Sequence, residues 1–99
     1  MPFVYILRCA DDSYYVGSTW DLERRLSEHR LGLGAAYTRH RRPVTLVWAE
    51  EHPSVRECYR VEKQIQGWGR RKREALISGG WTSLTGLGSR ASAARDRRA

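Results

Sequence analysis

Four kinds of side chain that could act together on a phosphodiester bond occur in the first two-thirds of the chain. Tyr5 and Tyr15 supply phenols, Arg25 a guanidinium, His29 an imidazole and Glu62 a carboxylate. Together they could provide a base for water, a clamp for the phosphate and an anchor for a divalent ion. A single tyrosine is more often a structural residue of a half-buried strand. The chemistry therefore depends on whether the fold brings these groups together.

Arg25 and His29 lie on a predicted helix over residues 21–31, with Asp21 or Thr19 as N-cap and Gly32 as the C-terminal stop. Leucines four residues apart define the buried stripe of this helix. Arg25 and His29, also four apart, fall on the shoulder of the stripe and should be held against the sheet. The stripe consists of Leu22 and Leu26.

The same helical wheel turns Arg24 and Glu28 away from the buried stripe, so both are expected to be solvated. An alternative for Arg25 is structural, because an arginine can lay its aliphatic stem over the core and keep only its charge in water.

Glu62 projects from the middle of the apolar face of a second predicted helix, over residues 54–66. Ser54 and Glu57 have the spacing of a capping box at its start. A carboxylate on an apolar face is costly unless it meets a cation, a metal or hydrogen-bond donors. Glu62 is therefore either a metal ligand or general base, or half of a buried ion pair with an arginine. The apolar face comprises Val55, Cys58, Val61 and Ile65.

The elements that must position these residues form a small α+β domain. Runs rich in β-branched and aromatic residues predict three strands, the first two joined as an antiparallel hairpin. The predicted order is β-β-α-β-α-α, with helices flanking a three-stranded antiparallel sheet. The predicted strands cover residues 3–8, 14–17 and 44–49; the helices cover 21–31, 54–66 and 70–78; a basic loop covers 32–42.

Length and composition favour one domain over residues 1–81 and a mobile basic tail over 82–99. Two cysteines, Cys9 and Cys58, are too few for a disulfide scaffold or a zinc site. The N-terminus does not read as a secretion signal, and no run reaches the ~20 apolar residues of a membrane span. The expected location is the cytoplasm.

The net charge of +7 points to a polyanionic partner, because sixteen of the eighteen basic residues are arginine. The arginine fork grips phosphate with two hydrogen bonds, so nucleic acid ranks ahead of an anionic membrane. Trp20, just before the first helix, could stack on a base or act as a hydrophobic staple. The predicted nucleic-acid contacts are Arg24, Tyr37, Thr38, Arg39, Arg41, Arg42, Lys63, Arg70, Arg71 and Lys72.

An ordered set of short motifs over residues 2–78 resembles the GIY-YIG nuclease superfamily, in its short single-domain bacterial branch. Phe3-Val4-Tyr5 stands where the family name has Gly-Ile-Tyr, and Tyr15-Val16-Gly17 follows ten residues later. Arg25 and His29 match the Arg-x-x-x-His helix of the family. Further similarity lies in residues 36–39, 42–47, 62–68 and 72–77.

The resemblance, which extends to the N-terminal nuclease domain of the bacterial repair excinuclease, implies a metal-dependent endonuclease. Tyr5 or Tyr15 would deprotonate the attacking water, and His29 would orient that base or relay its proton. Arg25 would stabilise the pentacovalent phosphate. Glu62 would hold one Mg²⁺ or Mn²⁺.

The implied substrate is nucleic acid, DNA ahead of RNA, in repair, recombination or the processing of single-stranded or branched DNA. A monomer is favoured, with a protein partner as a candidate targeting factor. The chain has no asparagine, so the late asparagine of some relatives has no counterpart. The rival hypotheses are a non-catalytic nucleic-acid-binding module with the same fold and a small interaction protein with solvated arginines.

Overall fold

The computed structural model describes residues 1–84. Residues Met1–Gly67 form one compact unit and a second begins at Trp68. Most of the predicted tail, residues 85–99, lies outside the described residues. The first three tail positions belong to a short 3-10 helix, Trp81–Leu84.

The sheet contains β1 (Phe3–Arg8), β2 (Tyr14–Thr19) and β3 (Thr45–Glu51) in the order β2-β1-β3. Both pairings are antiparallel, as predicted. β1 is central and its residues 4–7 are buried, which fits a strand covered on both faces. The predicted α+β class with a three-stranded antiparallel sheet is confirmed.

Helix α1 (Leu22–Leu31) begins and ends at the predicted caps. The Asp21 side chain accepts a hydrogen bond from the backbone N–H of Arg24 at 3.1 Å, which satisfies a donor that the first helical turn leaves open. At the other end Gly32 has φ +82°, a left-handed conformation that glycine adopts without steric cost. These caps fix the register of the helix that carries Arg25 and His29.

A single helical turn, α2 (Ala36–Arg39), interrupts the segment predicted as a loop. It is only four residues long, so it has no amphipathic repeat that a sequence pattern could reveal. Arginine side chains from beyond its end stabilise it by donating to its carbonyls: Arg41 Nη1 bonds to Tyr37 O at 2.8 Å and Arg42 Nε to Arg39 O at 3.1 Å. The turn places Thr38 beneath α1.

Helix α3 (Val55–Gln66) carries Glu62 and contacts β1 and β2. The Ser54 hydroxyl accepts from the backbone N–H of Glu57 at 3.1 Å, as the capping pattern predicts. The Glu57 carboxylate pairs with Arg60. The buried residues of α3 are Cys58, Val61 and Ile65.

The packing around Tyr5 is a hydrophobic cluster formed by β1, α1 and the residues before β3. Because side chains alternate along a strand, Tyr5 and Leu7 share one face of β1. Tyr5 is therefore part of the core and also the residue with the reactive hydroxyl. The cluster comprises Tyr5, Leu7, Cys9, Leu26 and Val44.

The second unit contains helix α4 (Arg70–Gly79) followed by the 3-10 helix. Ser83 ties the two together, since its hydroxyl lies within hydrogen-bond distance of the carbonyls of Ala75 and Gly80 and shares its one proton between them. The rings of Trp68 and Trp81 meet edge to face with centroids 5.8 Å apart. Within residues 1–84 no helix has the length and apolar character needed to cross a bilayer.

Candidate active site

The Tyr5 hydroxyl is the centre of the site. Its oxygen lies 2.9 Å from His29 Nε2 and also accepts a hydrogen bond from Arg25. Burial raises the pKa of Tyr5 to about 12, against the Arg25 hydrogen bond and charge, which lower it. The phenol is therefore protonated at neutral pH and already contacts both groups that would stabilise its deprotonated form.

Gly17 allows the Tyr5 hydroxyl to lie against β2. Gly17 pairs with Tyr5 in the sheet, and a Cβ at this position would come within 2.7 Å of Tyr5 Oη and 3.0 Å of the Tyr15 ring. Any side chain here would push the phenols away. The glycine is thus a spatial requirement of the site.

His29 is fully buried between Tyr5 and α2. Its Nδ1 lies 2.8 Å from Thr38 Oγ1, opposite the nitrogen that faces Tyr5. The backbone of Gly34 passes so close that a Cβ there would overlap the imidazole. Burial, with a contribution from the Arg25 charge, lowers the pKa of His29, so its ring is neutral at neutral pH.

Arg25 is half-buried and joins Tyr5 to Glu28. Its Nη1 donates to Glu28 Oε1 at 2.9 Å, and Arg24 also reaches the Glu28 carboxylate, at 3.4 Å. The expectation that Glu28 is solvated holds only in part, since its side chain is 30% exposed but its carboxylate pairs with two arginines. The spacing from Arg25 to Glu28 is the (i, i+3) spacing of helical ion pairs, a signal that the wheel alone does not use. Glu28 orients the guanidinium toward Tyr5.

Tyr15 and Tyr37 extend the site toward the surface. The Tyr15 ring meets His29 edge to face at 5.3 Å and stacks on Tyr37 at 6.1 Å. The Arg41 guanidinium lies 3.9 Å from the centroid of the Tyr37 ring. An aromatic wall therefore runs from the buried imidazole to a surface cation.

Glu62 lies at the edge strand β2, close enough for its charge to raise the pKa of Tyr5. Its Oε1 accepts from Ser18 Oγ at 2.8 Å and its Oε2 from Gln66 Nε2 at 2.9 Å. Within residues 1–84 its carboxylate forms no salt bridge to arginine or lysine. The alternative of a buried ion pair with an arginine is therefore not observed.

The carboxylate of Glu62 could serve a hard divalent cation that takes few ligands from the protein. No group of three or more His, Cys, Asp or Glu side chains suited to a metal occurs in the described part of the chain. Mg²⁺ is often held by one or two carboxylates, with waters and substrate phosphates completing its octahedron. A half-buried carboxylate held by two neutral donors suits that role.

The structure distributes the predicted nucleic-acid contacts unevenly within the first unit. Thr38 is fully buried, away from any surface that a nucleic acid could touch. Arg41 pairs with Asp11 at 3.1 Å, and Arg42 donates to the carbonyls of Arg30 and Arg39. Exposed residues at predicted positions are Arg24, Tyr37, Arg39, Arg42 and Lys63, of which Arg42 is held by its bonds to carbonyls.

The three predicted contacts of the second unit lie on α4. Arg70 pairs with Glu74 at 2.8 Å, and Lys72 Nζ lies 5.4 Å from the Trp68 ring centroid. Arg71 is exposed. Trp20, in the first unit, is 65% exposed, which favours a surface that can stack on a ligand over a packed staple.

Three residues that hydrogen-bond to Glu62 or His29 were not identified as such from the sequence. Ser18 and Gln66 hold Glu62, and Thr38 holds His29 rather than lying on the surface. Gln66 has the one available signal, its (i, i+4) spacing from Glu62. Ser18 and Thr38 act across 44 and 9 residues, so only the folded chain reveals them.

The sequence of this chain is similar to a known protein family and to several known proteins over the segment that contains these residues. The family model described as "GIY-YIG catalytic domain" matches residues 1–75. A UPF0213 protein of Streptococcus sanguinis is 54% identical over 75 residues, covering 76% of this chain and 86% of that protein. The UPF0213 protein VNG_2274C of Halobacterium salinarum is 46% identical over 77 residues, covering 78% of this chain and 100% of that protein.

A solved structure shows similarity in three dimensions as well. The solution NMR structure of the UPF0213 protein BH0048 from Bacillus halodurans aligns with a TM-score of 0.53 at 42% identity. The alignment covers 90% of this chain and 98% of that one.

Proposed function

We propose that this chain, which belongs to the GIY-YIG catalytic-domain family, is a metal-dependent endonuclease that hydrolyses phosphodiester bonds in DNA. The family is a nuclease superfamily, and its substrates are nucleic acids. One observation carries the proposal furthest: a buried phenol contacts a guanidinium and an imidazole at the same oxygen. A module that only binds nucleic acid has no need for that arrangement.

Tyr5 is the general base in this proposal, because its hydroxyl is the one bonded to His29. With a pKa of about 12 the phenol is protonated at rest, so it must lose its proton during the reaction. The proton passes to His29 Nε2, and the phenolate then takes a proton from the attacking water. The water oxygen bonds to phosphorus while the bond to the leaving sugar oxygen breaks. The leaving oxygen takes a proton from solvent, and His29 releases its extra proton to solvent, which restores the neutral imidazole.

Arg25 stabilises negative charge at two points. It donates to the Tyr5 oxygen, which becomes a phenolate, and its remaining N–H groups are available to a phosphate oxygen. Glu28 accepts one of the five guanidinium donors and so sets the direction of the others. Losing a comparable transition-state donor costs about 10²–10³ in rate in other enzymes.

Glu62 would hold one Mg²⁺ or Mn²⁺, with Ser18 and Gln66 fixing the orientation of its carboxylate. When bound there, the ion would neutralise charge on the scissile phosphate. The substrate we propose is single-stranded or branched DNA in repair, recombination or processing. Tyr37 and Arg39 are exposed and could contact a DNA strand that passes along the aromatic wall.

The test is a cleavage panel of single-stranded, duplex, flap and RNA oligonucleotides with Mg²⁺ or Mn²⁺. Glu62→Ala should lower cleavage by more than about 10²-fold, as the loss of a transition-state-stabilising group does, and leave nucleic-acid affinity nearly unchanged. Glu57→Ala is the matched control, since it removes a carboxylate from the same helix at a site paired with Arg60. It should retain activity.

Equal cleavage by wild type and Glu62→Ala would contradict the assignment. Binding without cleavage by the wild type under every condition would favour the non-catalytic module. Direct Mn²⁺ binding, followed by electron paramagnetic resonance, separates loss of the metal from loss of the reaction.

A further inference from the structure

Thr38 is a buried hydroxyl with two partners in a fixed arrangement. Its side chain is 0% exposed, and its Oγ1 lies 3.0 Å from Ala35 O and 2.8 Å from His29 Nδ1. A carbonyl oxygen can only accept, so the hydrogen bond to Ala35 uses the single proton of the threonine hydroxyl. Toward His29 the hydroxyl can therefore act only as an acceptor.

This arrangement decides which imidazole nitrogen carries the proton. Because Thr38 Oγ1 accepts, His29 Nδ1 must donate, and a neutral imidazole then has an unprotonated Nε2. That nitrogen lies 2.9 Å from Tyr5 Oη and accepts the phenolic proton. The hydrogen bonds run in one direction, from Tyr5 through His29 and Thr38 to the carbonyl of Ala35.

The opposite tautomer conflicts with its surroundings at both ends. An unprotonated Nδ1 would face the lone pairs of Thr38 Oγ1 unless the hydroxyl gave up its hydrogen bond to Ala35 O, which also accepts the backbone N–H of Arg39. Nε2–H would then donate to a Tyr5 oxygen that also receives the Arg25 donor, leaving the phenolic proton without His29 as acceptor. Polar groups left without a hydrogen-bond partner in a buried site are costly.

We propose that Thr38 is a positioning residue that holds His29 in its Nδ1–H form, so that Nε2 is ready to take the proton of Tyr5. The role of the pair in catalysis rests on the proposed nuclease function, whereas the tautomer itself does not. Thr38 touches neither the substrate nor the reacting atoms, and it acts through the imidazole alone.

The direct test is the tautomer of His29, measured from ¹⁵N chemical shifts of the labelled full chain above the pKa of the ring. We expect Nδ1 to give the shift of a protonated nitrogen and Nε2 that of an unprotonated one. Thr38→Val keeps the shape but loses the hydroxyl, and should shift the population toward Nε2–H. Thr38→Ser should restore the wild-type pattern.

A variant elsewhere controls for the loss of a threonine hydroxyl. Thr45 is exposed in β3, so Thr45→Val should leave the His29 shifts unchanged. In cleavage assays Thr38→Val should lose about 10²–10⁴-fold in kcat, the usual range for general acid–base catalysis, and Thr38→Ser should recover most of it.

Nε2–H in the wild-type protein would overturn the proposal, even if Thr38→Val failed to fold. An unchanged Nδ1–H population in folded Thr38→Val would overturn it as well. If the tautomer behaves as expected but the wild type cleaves no nucleic acid, the proposed function fails and the positioning role of Thr38 stands.

Discussion

At the scale of single residues, the site depends on the buried phenol of Tyr5, which lies beside Arg25 and His29. Tyr5 is 1% exposed, and a buried group keeps its neutral form because the charged form loses its hydration. The Arg25 hydrogen bond and charge reduce that cost without removing it, since the pKa of Tyr5 remains raised. The same burial that makes Tyr5 a core residue makes it hard to ionise at rest.

This burial predicts a loss of stability at alkaline pH. The folded pKa of Tyr5, about 12, lies above the ordinary value of 10.0, so its contribution is complete below pH 10 and is lost as pH rises toward 12. The shift corresponds to about 2–3 kcal/mol of unfolding free energy. Urea unfolding of wild type and Tyr5→Phe at several pH values measures it. Equal alkaline slopes for the two proteins would contradict the prediction.

Gly17→Ala should damage the site through space rather than charge. The new Cβ would stand 2.7 Å from Tyr5 Oη, and the phenol, as a buried core side chain, cannot move away freely. We expect a loss of about 1–3 kcal/mol of stability and strongly reduced cleavage. Gly69→Ala, which meets nothing within 4 Å, is the control for the added methyl group. Cleavage by Gly17→Ala at the wild-type rate would contradict the close contact between Gly17 and the Tyr5 hydroxyl.

At the scale of elements, local signals were sufficient for the framework. Asp21, Gly32 and Ser54 have the side-chain chemistry of caps, and each stands at the end of a helix where the sequence predicts it. The run of β-branched and aromatic residues at positions 3–8 indicated the first strand directly. These features are readable because each depends on neighbours a few residues away.

The interior of the site was less predictable because its contacts are non-local. Arg25 and His29 could be placed against the sheet from the wheel, but the contacts of Ser18 with Glu62 and of Thr38 with His29 join residues 44 and 9 positions apart and depend on tertiary packing. The one-turn helix α2 has no periodic pattern of its own. Sequence patterns therefore predicted the catalytic candidates, and the structure was needed to find the residues that hold them.

The contact between β2 and α3 yields a test at the element scale. Ser18→Ala removes the donor to Glu62 Oε1 while leaving the carboxylate and Gln66 in place. The Mg²⁺ concentration for half-maximal cleavage should rise by about 10-fold or more, as loss of an outer-shell partner does in other metal sites. Metal titration of the cleavage rate measures the change. Ser27→Ala is the matched control, because Ser27 is exposed on α1. An unchanged Mg²⁺ requirement in Ser18→Ala would contradict the prediction and would mean that other contacts orient Glu62.

At the scale of the whole molecule, the net charge of +7 indicates a polyanionic partner but does not show how many arginines are available to bind it. Arg41 and Arg42 lie in the same basic loop as Arg39, yet both donate to protein acceptors. An arginine that is committed to carbonyls and carboxylates stabilises the fold first. Composition predicts the partner class, and only the contacts divide the arginines between folding and binding.

Arg39→Ala and Arg41→Ala should therefore affect different properties: the first DNA binding and the second the stability of the fold. The Arg39 side chain is exposed to solvent, so its loss should weaken DNA binding and reduce the salt slope by about one, without changing stability. Arg41 stacks on Tyr37 and donates to its carbonyl, contacts worth about 1 kcal/mol each, so its loss should lower the free energy of unfolding. Fluorescence anisotropy at several salt concentrations and urea unfolding separate the two effects. Identical profiles for both variants would show that the protein contacts of Arg41 do not set it apart from Arg39.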